Sequence, residues 1–205
     1  DLVALVSLPA GVTVDFTADR LAIRTALLQI IGGGASRYLS NVNISLGEAF
    51  SLVTGSQRRL WDQAIREECN WTRSDNEYEN CRTTLEADAR SKFYAARTSA
   101  ESSERSLEIL IRRLSLIEGQ KHLIFIGEGL VTGSSYGYLD GVADLAWLGG
   151  LVQAARVNLY VLHLDRAFLE AFNVQERFPT RTPLEDARLL NDGLTEIAGQ
   201  AGGAY

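Results

Sequence analysis

Apolar residues recur with two different spacings along this chain of 205 residues. Short runs that are continuously apolar, or that alternate with polar residues, predict β-strands, and longer segments with apolar residues at every third or fourth position predict helices. The predicted strands are 2–8, 12–16, 123–126 and 157–164, and the predicted helices are 21–31, 46–65, 82–117, 142–155 and 184–198. Strands and helices therefore alternate along most of the chain.

The first two predicted strands form a hairpin. Pro9, Ala10 and Gly11 separate them and provide the turn. Residues 17–19 supply side chains that can cap the following helix, and the glycines at 32–34 end it. We expect this hairpin at one edge of a sheet.

The stretch KHLIFIGEGL at 121–130 contains the strand around which the sheet is organised. Its unbroken apolar run, 123–126, is typical of a strand buried on both faces in the middle of a parallel sheet. Glu128 lies between two glycines just after this strand, and ligands bind to parallel sheets at the carboxyl ends of their strands. Glu128 is therefore the first candidate for a functional side chain, and the alternative is a solvent-exposed acid in a turn.

A helical hairpin is predicted in the middle of the chain. The helices 46–65 and 82–117 each carry an apolar stripe, and a polar stretch from Cys69 to Cys81 connects them. No second cysteine pair and no nearby histidine completes a zinc site, so we expect a disulfide, with two free thiols as the alternative. A disulfide indicates a secreted or periplasmic protein. Residues 56–104 are interpreted as a helical-hairpin insertion.

These elements predict an α/β fold with a Rossmann-like, mostly parallel sheet and helices on both faces. The whole chain, 1–205, is expected to form a single domain. The chain opens in a predicted edge hairpin, and its last residues, GQAGGAY at 199–205, resemble the start of a further strand. We therefore expect a strand before Asp1 and another after Tyr205 to complete the sheet.

Composition narrows the classes of partner. The formal net charge of −6 argues against nucleic acid, because proteins that bind it normally present a basic face. No apolar run approaches the length of a membrane span, so we expect none in this chain.

Five segments of the chain, taken in order, resemble one family. They are DLVALVSL at 1–8, VTVDFTADR at 12–20, GQKHLIFIGEGL at 119–130, AARVNLYVLHLD at 154–165 and LTEIAGQAGGAY at 194–205. Together they resemble the von Willebrand factor A-like (VWA-like) family, and most closely its branch in secreted acidobacterial proteins. The resemblance does not extend to residues 56–104.

The resemblance implies a metal-ion-dependent adhesion site on the top face of the sheet. In the family a DxSxS loop, a Thr and an Asp supply oxygen ligands that suit Mg²⁺ or Ca²⁺. Glu128 stands in the place of the Asp, whereas apolar Ile44 stands in the place of the Thr, and a DxSxS loop would precede Asp1. Ser45 or Asn43 could supply the missing oxygen only if the loop shifts. The resemblance therefore implies a degenerate site, with Glu128 as its metal ligand and Ser45, Asn43 and Glu128 as top-face binding residues.

A serine hydrolase is an alternative from a different class. The sequence GSSYG at 133–137 matches the G-x-S-x-G pattern, with Ser135 as nucleophile and His163 and Asp165 as base and orienting acid. The pattern requires the serine to lie directly between a strand and a helix, but the predicted strand ends several residues earlier. We therefore expect no catalytic residues.

Taken together, these features predict a non-catalytic domain that binds a protein partner. It would bind through the top face near Glu128 and Ser45, or through the helical hairpin, where Trp71 and Tyr78 are candidate interface anchors. The alternative is a structural subunit of a larger assembly that docks through the hairpin.

Overall fold

The computed structural model describes residues 1–8, 11–30, 44–132, 145–164 and 183–202. Within these ranges the chain is a mixed α/β protein with four strands and six helices. In chain order the elements are β1 (Val3–Val6), β2 (Thr13–Thr17), α1 (Arg20–Gln29), α2 (Leu46–Thr54), α3 (Arg58–Glu68), α4 (Asp75–Leu114), β3 (Lys121–Gly127), α5 (Leu148–Ala154), β4 (Val157–His163) and α6 (Pro183–Gln200). The predicted mixture of helices and parallel strands is confirmed at this level.

The N-terminal hairpin is present as predicted, but among the described residues it forms a two-stranded sheet of its own and is not an edge of the β3–β4 sheet. Strands β1 and β2 pair antiparallel, with Val6 opposite Thr13. Helix α1 begins after Asp19, whose carboxylate accepts hydrogen bonds from the Leu21 N–H (2.8 Å) and the Ala22 N–H (3.2 Å). These bonds satisfy two of the first-turn donors that have no acceptor inside the helix, so the predicted cap is also confirmed.

Strands β3 and β4 pair in parallel, with Leu123 beside Leu159 and Ile124 beside Tyr160. Successive strand residues point to opposite faces, so this register separates an inner set of side chains from an outer set. The inner face packs into the core, where Leu159 is buried. The outer side chains Ile124 and Ile126 are 57% and 55% exposed.

The prediction of a strand buried on both faces is therefore wrong for β3. Helices α4, α5 and α6 contribute to the core on the inner face. Among the described residues the sheet has only these two strands, so β3 has a single neighbouring strand there.

Two helix boundaries also differ from prediction. Gly55 ends α2 in a left-handed conformation (φ 67°), so the predicted helix 46–65 is divided into α2 and α3. Helix α4 begins at Asp75, earlier than expected, because the Ser74 hydroxyl accepts a hydrogen bond from the Glu77 N–H (3.3 Å). Cys81 consequently lies within α4 and not in a loop. With 40 residues, α4 is about 60 Å long.

Helix α4 joins two hydrophobic cores. Its C-terminal half packs with α5, β4 and α6, and its N-terminal half packs with α2 and α3. A small cluster between them contains Phe50, Phe93, Val131 and Leu189. The rings of Phe50 and Phe93 lie 4.7 Å apart at their centroids, so α2 and α4 are in direct contact there. None of the described helices is long and apolar enough to cross a bilayer.

The predicted disulfide between Cys69 and Cys81 is present. It links the C-terminal end of α3 to the second turn of α4, and both cysteines are buried in the N-terminal core.

Replacing both cysteines with serine should destabilise the protein. Closing a loop of this length restricts the unfolded chain, and its loss should lower the free energy of unfolding by about 3 kcal/mol. Urea unfolding of the oxidised wild type and of Cys69→Ser/Cys81→Ser measures the difference. If the two proteins unfold at the same urea concentration, the disulfide does not stabilise this hairpin.

Candidate functional site

The loop after β3 is held against helix α6 by close backbone contacts. The Leu130 N–H donates a hydrogen bond to the Leu190 carbonyl (3.0 Å). A Cβ added to Gly129 would lie 2.3 Å from the Leu190 Cβ, and one added to Gly193 would lie 1.9 Å from the Leu130 carbonyl oxygen. Only glycine allows this approach at either position. Glu128, at the carboxyl end of β3 as predicted, is half-buried in a loop of fixed position.

Ser45 caps helix α2 from inside the protein. Its hydroxyl accepts a hydrogen bond from the Glu48 N–H (3.0 Å), and the Glu48 carboxylate accepts one from the Ser45 N–H (2.9 Å). This reciprocal pair is a capping box, and both residues are almost completely buried. Ile44, immediately before the cap, is buried in the N-terminal core.

A second carboxylate reaches the same helix end from α6. Asp186 accepts hydrogen bonds from the Leu46 N–H (3.2 Å) and the Gly47 N–H (2.7 Å). Negative charge is favourable at a helix N-terminus, because the first backbone N–H groups have no acceptor within the helix and the helix dipole places partial positive charge there. Asp186 therefore fixes α2 to α6 across a long separation in sequence.

Lys92, on α4, completes this polar cluster. Its ammonium group donates a hydrogen bond to the Ile44 carbonyl. Burial lowers the pKa of Lys92 below its ordinary value of 10.5, and the nearby Asp186 and Glu48 carboxylates oppose that shift. The described contacts of Ser45, Glu48, Lys92 and Asp186 connect α2, α4 and α6, so the arrangement positions the start of α2.

Sequence reasoning missed Lys92, Glu48 and Asp186. A signal for Lys92 existed, because it follows Ala89 by three positions on the buried stripe of α4 and is one of only two lysines in the chain. Asp186 had no comparable signal, since it lies on the first turn of α6, where acids are common for local reasons.

The other predicted residues are placed as follows. His163 ends β4 opposite Gly127 and is half-buried. Asn43, Ser135 and Asp165 lie outside the described residues. In the described ranges no group of three or more His, Cys, Asp and Glu side chains is arranged to hold a metal ion. The roles of Glu128 as a metal ligand and of Ser45 and Asn43 as binding residues stay predictions.

The two candidate interface aromatics have different environments. Trp71 lies in the connection between α3 and α4 and is 63% exposed. Tyr78, on the first turn of α4, lines a groove of about 760 Å³ together with the more deeply buried Trp61. The structure therefore brings Tyr78 and Trp61 to one concave surface.

The outer face of the β3–β4 sheet carries several exposed apolar side chains. Ile124, Ile126, Leu162 and Leu164 are each at least half exposed. Tyr160, beside Ile124, and His122, nearer the amino end of β3, lie on the same face, with their rings stacked and the Tyr160 hydroxyl 3.3 Å from His122 Nδ1. The apolar part of this face lies toward the carboxyl ends of the strands, the same end as Glu128.

The chain matches no protein-family model, no curated protein and no solved structure. The VWA-like resemblance of its five segments therefore stays a prediction.

The burial of Lys92 should be visible as a pH dependence of stability. As pH rises toward about 10.5, the folded protein loses the Lys92 proton before the unfolded chain does, so the unfolded chain holds more protons. The free energy of unfolding of the wild type should therefore rise over this pH range relative to that of Lys92→Met.

Urea unfolding of both proteins, from neutral pH to about pH 10.5, measures this difference. Lys121→Met, which removes the other lysine, is the matched control. The quantity to follow is the free energy of unfolding of the wild type minus that of Lys92→Met. If it stays constant or falls as pH rises, the burial of a charged Lys92 is contradicted.

Proposed function

We propose that this chain is a non-catalytic, extracytoplasmic protein-interaction domain of the VWA-like type. The order of its elements supports the proposal, because a hairpin and helix precede two parallel strands that are each followed by a helix. The Cys69–Cys81 disulfide supports a location outside the cytoplasm. In the proposed fold, further strands extend the β3–β4 pair into a Rossmann-like sheet.

The open outer face of the β3–β4 sheet carries this proposal. Both faces of a parallel sheet are normally covered, yet the side chains of Ile124, Ile126, Leu162 and Leu164 are 50–57% exposed. Each square ångström of apolar surface removed from water contributes about 25 cal/mol, so a partner that covers this face gains binding energy. Contiguous apolar patches of this kind mark interaction sites in soluble proteins.

An apolar contact is better supported than a metal-dependent one. The Ser45 hydroxyl is buried and already accepts a hydrogen bond from the α2 backbone. Ile44 contributes a buried apolar side chain where an adhesion site needs an oxygen ligand. Glu128 borders the outer face at the carboxyl end of β3, and we propose that it contributes a polar contact at the rim of the interface.

A second candidate is a structural subunit that docks through the α3–α4 hairpin. The observation that favours it is the exposed Trp71, because a large aromatic side chain on a polar surface is a common interface anchor. The two candidates differ in which surface contacts the partner.

Site-specific photo-crosslinking separates them. A benzophenone amino acid is placed at Ile126 on the outer face, at Trp71 on the hairpin, or at Ile109, which is an equally exposed apolar residue on α4. Each full-length protein is then irradiated in its native host. We expect Ile126 to give a discrete crosslink to another protein, and Ile109 to give none.

Two other crosslinking results would argue against the outer face as the interaction site. A crosslink from Trp71 but not from Ile126 would support docking through the hairpin. A crosslink from Ile126 to another segment of its own polypeptide would contradict the proposed interaction face, because the outer face would then be covered internally.

A further inference from the structure

The connection between α3 and α4 contains the acceptor pattern for N-linked glycosylation. The pattern is an asparagine followed two positions later by serine or threonine, with any residue except proline between them. The chain contains it twice, at Asn43-Ile44-Ser45 and at Asn70-Trp71-Thr72. A glycan is bulky and hydrated, so only an acceptor at the protein surface can carry one. The surroundings of the two patterns therefore decide which of them can be modified.

The second pattern lies at the exposed tip of the helical hairpin. Helix α3 ends at Glu68 and α4 begins at Asp75, and Asn70 and Trp71 are both exposed in the turn between them. Within the described part of the chain, the Asn70 side chain takes part in no hydrogen bond. The Thr72 hydroxyl donates to the Cys69 carbonyl (2.8 Å), which leaves the lone pairs of the hydroxyl oxygen unused by that bond. An enzyme can therefore reach the acceptor amide without disturbing either helix.

The first pattern has its hydroxyl inside the protein. Ser45 is 1% exposed, and its hydroxyl accepts the hydrogen bond from the Glu48 N–H (3.0 Å) that closes the capping box of α2. Asn43 itself lies outside the described residues. An enzyme that recognises the serine hydroxyl would have to open the start of α2, so the folded chain favours Asn70 over Asn43.

The disulfide supplies independent support from the same hairpin. Cys69 immediately precedes Asn70 and is bonded to Cys81. Disulfides form and persist outside the cytoplasm, and N-linked glycans are carried on surface loops of secreted proteins. A chain that acquires this disulfide is thus exported through the compartment in which Asn70 can be modified.

We propose that Asn70 is an N-linked glycosylation site. The inference rests on the proposed extracytoplasmic function and adds a modification at the hairpin tip. The co-reactant is an oligosaccharide joined to a polyprenyl diphosphate. The Asn70 amide nitrogen forms a bond to the first carbon of the sugar, and the bond from that carbon to the diphosphate oxygen breaks. The diphosphate leaves with the bonding electron pair, and the amide nitrogen gives up one proton to a base of the transferase.

A glycan at this position affects the neighbouring Trp71. That side chain is 63% exposed, and it follows the acceptor directly in sequence. A bulky glycan on Asn70 hinders a protein partner from docking on Trp71. The inference therefore favours the outer face of the β3–β4 sheet over the hairpin tip as the surface that contacts a partner.

Mass spectrometry of the full-length protein from the extracytoplasmic fraction of its native host tests the inference. After reduction and alkylation, complete trypsin digestion places Asn70 on peptide 67–73 and Asn43 on peptide 38–58. We expect peptide 67–73 to carry the additional mass of an oligosaccharide and to release sugar fragments on collisional activation. We expect peptide 38–58 to have its unmodified mass.

Conservative variants distinguish attachment at the acceptor amide from attachment elsewhere. Asn70→Gln and Thr72→Ala should each abolish the added mass, and Thr72→Ser should retain it, because serine restores the hydroxyl that the pattern requires. Asn76→Gln is the matched control, since Asn76 is also exposed near the hairpin tip but is followed two positions later by Tyr78. It should leave the glycan in place.

Three results would overturn the inference. They are an unmodified peptide 67–73 in the exported protein, a glycan on peptide 38–58 alone, and an added mass on peptide 67–73 that persists in Asn70→Gln. Each of these results leaves crosslinking from Ile126 unaffected. Failure of the glycosylation site and failure of the proposed interaction face can therefore be told apart.

Discussion

The parallel pairing of β3 with β4 is the constraint on which the proposed interaction face of this protein depends. Because side chains alternate along both strands, the register that buries Leu159 and Val161 also directs Ile126 and Leu162 to the opposite face. Helices α4, α5 and α6 pack on one side only. The same alternation that builds the core therefore leaves exposed apolar side chains on the outer face.

Close contacts with α6 fix the carboxyl end of this sheet. Gly129 and Gly193 allow the backbone after β3 to lie against the helix, and Asp186 on its first turn caps α2. Lys92 adds a hydrogen bond from α4 to the residue before α2. The polar cluster and the glycine contacts thus connect the sheet to the N-terminal core, whose concave side is the groove lined by Trp61 and Arg58.

Local sequence signals predicted the local structure well. Asp19 as a cap, the hairpin of β1 and β2, and the Cys69–Cys81 disulfide are all determined by residues close together in sequence, and all are confirmed. The unbroken apolar run of β3 was misleading, because periodicity cannot tell whether a second layer covers a strand. The cap from Asp186 depends on residues brought together by packing, so no local pattern predicts it.

The openness of the outer face is tested most directly by placing a charge on each side of β4. Leu162→Lys puts the charge on the outer face, and Val161→Lys, at the adjacent position, puts it in the core. We expect Leu162→Lys to lower the free energy of unfolding in urea by no more than about 1 kcal/mol, and Val161→Lys to lower it by more than about 3 kcal/mol. Equal, large losses in both variants would show that the outer face is already covered within the chain and is not available to a partner.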